Sequence, residues 1–499
     1  MGREKSDGRV VPQGRGNPVP IVATRGGKAT TDIARARATE LASETAEWPK
    51  SIATSAVAVS PKEEQVEVTM EQIADEANLL EAFRRVEENR GAPGPDGRTV
   101  QDVRRELAGT LRRLQHALVE GTYQPGEIRR VWIPKASGGQ RGLGIPNVVD
   151  RWVQQATLQK LAPLYEPTFH PSSHGFRAGR SCHTAIAEAK KHVADGRYWM
   201  VDIDLEKFFD RVPHQRLLAK LRLRIRDERV LRMIGRMLRA RVVMPDGVVV
   251  RTEEGAPQGG PLSPLLSNVV LDELDHELER RGYRFVRYAD DLSIYVRSES
   301  AGRRVFESVT RFLERRMRLV VNRDKSAVAR PRGRHILGFS IRSNMRKKHV
   351  ELDLSDRTKS RLREQIRALT PRTWGQSLRA CIDRINRYLR GWAEYFGVAS
   401  GAGGTARYAD GHIRRRLRAV LLHHWKGTKT IRANLMRLGA EPLIAQGVSR
   451  SSGAWRRSNF HAVTAGIRNE WFERWGLLSL DALCAARLAR GLPSPEISP

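Results

Sequence analysis

The sequence predicts a mixed α+β domain followed by a helical one, and three observations carry that prediction. Short apolar runs between residues 129 and 296 alternate irregularly with helix-spaced stretches, the pattern of a mixed domain and not of a regular βαβ repeat. Two acidic segments, VDIDLEKFFD (201–210) and RYADDLSIY (287–295), set carboxylates at the ends of apolar strands. Beyond about residue 355, strand-like alternation gives way to helical spacing rich in Arg and Trp.

The elements follow in order. Residues 1–68 hold one aromatic, Trp48, among Gly, Pro, Ala, Ser, Thr and Arg. Such a stretch buries too little to fold, so it is expected to be a disordered basic extension. Order is expected from Thr69. In 70–90, Ile73, Ala77, Leu80, Phe83 and Val86 recur at helical spacing and stop at GAPGPDG (91–97). A second helix over 103–120 carries Leu107, Leu111, Leu114 and Leu118 on one face. Val131, Ile133 and Ile145 flank the turn sequence ASGGQRG and predict a β-hairpin bearing Lys135 and Arg141. A helix at 151–164, a strand at 199–205, further helices and a hairpin around YADD (288–291) complete a domain ending near 345. After 355, Leu378, Ile382, Ile385 and Leu389 form an apolar stripe with Arg384, Arg387 and Arg390 between them.

Composition narrows the function. Lys and Arg number 88 against 56 Asp and Glu, a net charge of +32. A surface this basic attracts a polyanion, and nucleic acid is the commonest one because each neutralised phosphate releases counterions. The three cysteines, Cys182, Cys381 and Cys484, lie far apart and have no zinc-ligand spacing, which argues against a disulfide framework and for a reducing compartment. The N-terminal sequence has no apolar signal core, and no run of 18 apolar residues exists, so neither secretion nor a membrane is expected. Six of the ten Trp fall from Trp374 onward, among Arg-rich runs such as IRRRLR (413–418). Rings interleaved with cations suit single-stranded RNA, where bases stack and phosphates meet Arg. The alternative for any one Trp is ordinary core packing.

The carboxylates carry the chemistry. Asp290 and Asp291 are adjacent, between Phe285 on one side and Ile294 and Val296 on the other. Like charges at the tip of a buried hairpin repel and lose solvation, so something must offset them. Magnesium does so with carboxylate oxygens and substrate phosphates as ligands. Two such ions, about 3.5–4 Å apart, stabilise both the attacking and the leaving oxygen of a phosphoryl transfer. Asp204 ends a strand and is placed to complete the cluster, with Asp202 as a competing carboxylate.

Nine blocks then stand in a fixed order: NRGAPGPDG (89–97), VWIPKASGGQRGLGIPNVVDRWVQQA (131–156), HGFRAGRSCHTAI (174–186), VDIDLEKFFDRVPH (201–214), GAPQGGPLSPLLSNVVLDELD (255–275), RYADD (287–291), VNRDKS (321–326), LGF (337–339) and NRYLRGWAEYF (386–396). Together they resemble the bacterial group II intron-encoded reverse transcriptases, across about 69–480, in the form without an HNH nuclease. The far end has only Cys484 and the pair His423 and His424 to offer such a nuclease. The resemblance implies a right-hand polymerase. Fingers and an antiparallel palm would take 69–345 and a helical thumb and maturase region 355–430. A basic nucleic-acid-binding region would take 431–480, and a tail 481–499. It implies RNA-templated DNA synthesis with two Mg²⁺ ions, for which Mn²⁺ can substitute. It also implies binding of intron RNA for splicing and mobility.

By position, Asp204, Asp290 and Asp291 match the metal triad, with Asp204 and Asp290 the stronger members and the Leu205 backbone beside them. Lys135 and Arg141 match residues gripping the triphosphate, and Gln258 a contact to the incoming nucleotide. Phe209 matches a ring that excludes a ribose 2′-OH, and Lys325 a lysine that protonates pyrophosphate. Arg384, Arg387, Arg390, Trp392, Arg414, Arg415, Arg416 and Arg418 are the expected RNA contacts. The implied partners are intron RNA, RNA template, DNA primer, dNTPs and a DNA target site, with no protein partner evident, in the bacterial cytoplasm at the nucleoid.

Overall fold

A computed structural model describes residues 67–134, 138–344, 349–371, 375, 377–450 and 453–492. The expected extension, 1–68, lies outside them except for its last two residues, and so does Lys135.

Side-chain caps set many helix ends, because an N-terminal turn has amides without intrahelical partners. Thr69 opens the first helix, Met70–Ala74, with a reciprocal capping box to Gln72. The single helix expected over 70–90 is two. Asp75 leaves the helical region at φ −53°, ψ 135° and caps Glu76–Glu88 by accepting from Asn78 N. The helix expected at 103–120 is likewise two, Val100–Arg105 and Leu107–Val119, broken at Glu106. Serines 181, 298, 355, 377 and 479 cap later helices in the same manner, each accepting the amide three residues on.

The strands are β1 (Ile128–Pro134), β2 (Gln140–Ile145), β3 (Trp199–Ile203), β4 (Val242–Val243), β5 (Val249–Val250), β6 (Arg284–Tyr288), β7 (Asp291–Val296), β8 (Ala327–Ala329), β9 (Phe339–Asn344) and β10 (His349–Leu354). The fingers sheet has the order β2-β1-β4-β5, and its β1–β4 pairing is parallel. The palm sheet has the order β6-β7-β3-β8 and is antiparallel throughout, as expected. β9 and β10 form a separate hairpin that fills the gap between the two expected domains.

Period-two alternation sends the palm's side chains to two cores. Val201, Ile203, Leu292 and Ile294 join one core with the helices Val148–Tyr165 and Ser263–Arg280. Met200, Val286 and Tyr295 point the other way, into a core with the helix Cys182–Ala194, the β9–β10 hairpin and the helices after 355. That second core runs on without a break. The stripe Leu378, Ile382, Ile385 and Leu389 on the helix Leu378–Phe396 belongs to it, and so do Ile431, Val463, Phe472, Leu480 and Cys484.

Residues 431–480, expected as a separate region, contribute Ile431, Leu435, Val463, Phe472 and Leu480 to the same core as 355–430. The expected tail is in part a helix, Leu480–Ala489. Asp410 caps it by accepting from Leu480 N at 2.8 Å, and its Arg487 donates to the Glu394 carbonyl at 3.0 Å. Among the described residues, no helix is long and apolar enough to cross a membrane.

Candidate active site and nucleic-acid interface

β6 and β7 are joined by a two-residue turn, with Tyr288 paired to Asp291 and Ala289 and Asp290 between them. Ala289 stands in the left-handed region at φ 56°. The last β3–β7 pair is Ile203 with Leu292, so one further step sets Asp204 opposite Asp291. Asp204 is held by its backbone: its amide donates to Ser326 Oγ at 3.0 Å and its carbonyl accepts from Asn322 N at 2.8 Å. Lys325 Nζ lies 3.5 Å from Asp204 Oδ2. Leu205 follows in an isolated bridge to Val321.

Asp290 is half-buried. Burial pushes its carboxyl above the usual carboxylate range, and the charge of Asp204 pushes the same way, against the pull of Arg141 and Arg287. Asp202, the competing carboxylate, is committed elsewhere. It accepts from both Arg334 Nε, at 2.9 Å, and Arg334 Nη2. Sequence reasoning missed Arg334 and Ser326, since each lies more than 120 residues from its partner.

Among the described residues, no three His, Cys, Asp or Glu side chains are gathered closely enough to hold an ion alone. The triad thus does not form a closed cage. The donor set still fits magnesium, whose shell takes one or two carboxylates and is completed by water and phosphate oxygens.

The fingers reach the same place. Arg141 on β2 donates through Nε to Gln258 Oε1 at 3.0 Å. The Gln258 carbonyl accepts from Gly144 N at 2.6 Å. Gly259 has φ +121°, and a Cβ there would lie 2.3 Å from the Gly144 carbonyl oxygen, so only glycine lets the two backbones meet. Phe209 is 6% exposed and packs edge-on to Phe208 at 5.3 Å. Its carbonyl accepts from Ala256 N at 2.6 Å, two residues before Gln258. Arg141 is thus hydrogen-bonded to Gln258, and its charge and that of Asp204 both act on Asp290, while Phe209 meets the segment before Gln258 through its backbone.

The expected RNA contacts divide. Arg387 and Arg390 are exposed, and Arg384 and Arg414 half-buried. Trp392 is not an RNA contact: it is 5% exposed, with its ring 5.0 Å from Phe396 in the core. Arg418 is buried too. It donates to the Ile467 carbonyl at 2.9 Å, and burial, with Arg414 nearby, pulls its pKa down to about 10. Arg416 ties its helix, Ala402–His424, to the end of Asp356–Leu369 through the Thr370 hydroxyl and the Thr370 carbonyl, the latter at 2.7 Å. Arg415 lies with its guanidinium 4.1 Å from the Trp455 ring. Tyr408, which sequence reasoning passed over, is 62% exposed and stacks on His412 at 6.3 Å. With the exposed Arg363 and Arg367 nearby, these rings and cations form one surface.

Comparison with known proteins gives the family. The reverse transcriptase (RNA-dependent DNA polymerase) family matches residues 133–341, and the group II intron maturase-specific domain matches 359–439. Protein YkfC of Escherichia coli (strain K12) is 34% identical over 291 residues, 50% of this chain and 76% of that protein. The chain belongs to the group II intron reverse transcriptases. This reverse transcriptase carries an RNA-directed DNA polymerase domain and, after it, a maturase-specific domain. The group II intron-encoded protein LtrA of Lactococcus lactis subsp. cremoris is 39% identical over 166 residues, 33% of this chain and 27% of LtrA. The putative COX1/OXI3 intron 2 protein of Saccharomyces cerevisiae is 27% identical over 331 residues, 54% of this chain and 38% of that protein. The reverse transcriptase thus aligns with about a quarter of LtrA.

Proposed function

We propose that this chain copies RNA into DNA at the Asp204–Asp290 site and binds group II intron RNA through its helical region to assist splicing and mobility. The observation that carries the reading is the placement of Asp204 and Asp290 together at the end of the palm sheet, with Lys325 Nζ 3.5 Å from Asp204 Oδ2 and the charges of Asp204 and Arg141 both acting on Asp290. Two carboxylates so placed are poised for a cation.

In this reading Asp204, Asp290 and Asp291, with the Leu205 backbone, hold two Mg²⁺ ions, or Mn²⁺ in their place. When bound, the ions supply charge to the attacking primer 3′-OH and to the leaving pyrophosphate. Arg141 and Gln258, and Lys135 by its place in the family's sequence pattern, orient the dNTP triphosphate. Phe209 closes the space a 2′-OH would need. Lys325 is the donor that meets the charge growing on pyrophosphate. Arg387, Arg390, Arg414, Arg415, Tyr408 and Trp455 face RNA, while Arg416 and Arg418 hold the helices that present them. The template is RNA, the primer is DNA at a target site, and the work is done at the nucleoid of a bacterial cytoplasm.

Asp290→Ala tests the first half. Extension of oligo(dT) on poly(rA) should vanish while the affinity for structured RNA stays within about twofold of wild type. Undiminished extension would end the assignment of the site.

A further inference from the structure

We propose that Arg287 is a positioning residue for the catalytic turn: anchored by Asp275, it holds the Ala289 carbonyl and so sets where the Asp290 carboxylate stands. This rests on the polymerase reading above and goes further, to what aims the carboxylate.

The network is closed and buried. Arg287 is 1% exposed and Asp275 0%. All five guanidinium N–H donors have acceptors. Nε donates to Asp275 Oδ1 at 2.7 Å, and Nη2 to Asp275 Oδ2 and to Ser173 Oγ, the latter at 2.7 Å. Nη1 donates to Asn268 Oδ1 and to the Ala289 carbonyl, each at 2.9 Å. The backbone joins in, with Arg287 N donating to the Ser172 carbonyl and the Arg287 carbonyl accepting from His174 N, each at 2.9 Å. Asn268 also donates to the Gly175 carbonyl at 2.9 Å. A Cβ at Gly175 would lie 2.2 Å from Ala289 N, so this segment presses directly on the turn. Three pieces of chain, 172–175, the helix Ser263–Arg280 and the turn itself, are thus clamped to one side chain.

The turn needs such a clamp. Ala289 at φ 56° costs of order 1 kcal/mol and persists only where its surroundings over-determine it. Stability alone does not account for the pair. A buried ion pair is often replaceable by apolar residues at no loss, and the core beneath is already filled by Phe285, Leu292 and Ile294. What apolar residues cannot do is hold a carbonyl oxygen at a chosen point. Nor can lysine: it keeps the charge but has three donors on one atom, where Asp275, Asn268, Ser173 and Ala289 lie on different sides. A metal-binding carboxylate must be placed to within about 0.5 Å, which is the scale such a fork controls.

The test uses the full chain with Arg287→Lys, which keeps the charge and removes the fork, and Asn268→Ala, which removes one partner of Nη1. Three quantities are read for each: kcat and dTTP KM on poly(rA)–oligo(dT), Mn²⁺ binding by EPR titration, and Tm. Arg287→Lys should lower kcat about 10- to 100-fold and weaken Mn²⁺ binding, with KM within about twofold. Asn268→Ala should move the same quantities in the same direction by less, and it stands in should Arg287→Lys fail to fold. Wild-type kcat and Mn²⁺ binding in either folded variant, whatever its Tm, would overturn the proposal. Asp290→Ala run alongside separates the layers. If it is inactive while Arg287→Lys is fully active, only the positioning role falls; if it extends primers normally, the site reading falls with it.

Discussion

The RYADD turn and the IRRRLR helix are both short, charged and easily seen in the sequence, yet the fold treats them differently. In the turn, the strand ladder fixes which way each carboxylate faces. Asp204 comes opposite Asp291 because Ile203 is paired with Leu292, and the side chains between them are buried. In the helix, each residue turns about 100° from the last, so a run of four arginines must point to several sides. Arg418 enters the core, Arg416 holds a neighbouring helix end, Arg415 covers Trp455, and Arg414 is half-buried. A cluster of charge on a strand end can be read as a site. A cluster on a helix must first be divided by face.

The largest expected effect lies in the turn. Asp290→Asn should lower primer extension by roughly 10²–10³-fold or more. It should also stabilise the metal-free protein at neutral pH. The sign follows from the raised carboxyl: folding favours the protonated form, so this group's contribution is present in acid and lost as pH rises through its folded pKa. Tm measured against pH in chelator should show the Asn variant pulling ahead as pH rises. A constant gap would mean that Asp290 is not strained by burial.

Phe209→Val sharpens the wall of the same site. rNTP use relative to dNTP should rise roughly tenfold, as expected for removal of a steric contact. Single-nucleotide incorporation assays decide it, and unchanged discrimination would make Phe209 core alone.

On the helix, Arg418→Gln should cost about 1–3 kcal/mol, because the Ile467 carbonyl loses its donor. Thermal or urea denaturation reads this. RNA affinity per folded molecule should not change, and a specific RNA defect would return Arg418 to the interface.

The smallest effect belongs to the exposed positions. Arg387→Gln with Arg390→Gln should flatten the log–log salt dependence of RNA binding by about 0.7–0.9 for each lost phosphate contact. A slope equal to wild type would move the RNA surface off this helix.

Much of this was legible because it is local. The YADD hairpin, the strand at 199–205 and the apolar stripe of 378–389 all depend on residues a few positions apart. What sequence reasoning missed depends on distant ones. Asp202 is held by Arg334, 132 residues on, and Trp392 is turned inward by a helix whose partners run as far as Cys484. The helix Leu480–Ala489, expected as tail, is apolar enough to pack, but what it docks on, Asp410 and Glu394, lies 70 and 93 residues away.

The palm sheet's two faces also set a schedule for the newborn chain. One face is covered by residues made before about 345. On the other, Met200, Val286 and Tyr295 meet the helix Cys182–Ala194 early, but the core they share with it closes only with Cys484. At roughly 5–20 residues per second, a ribosome needs about 7–28 s to supply that stretch. Throughout that interval the part of this core supplied by later residues is missing, so it is the helical half that completes it.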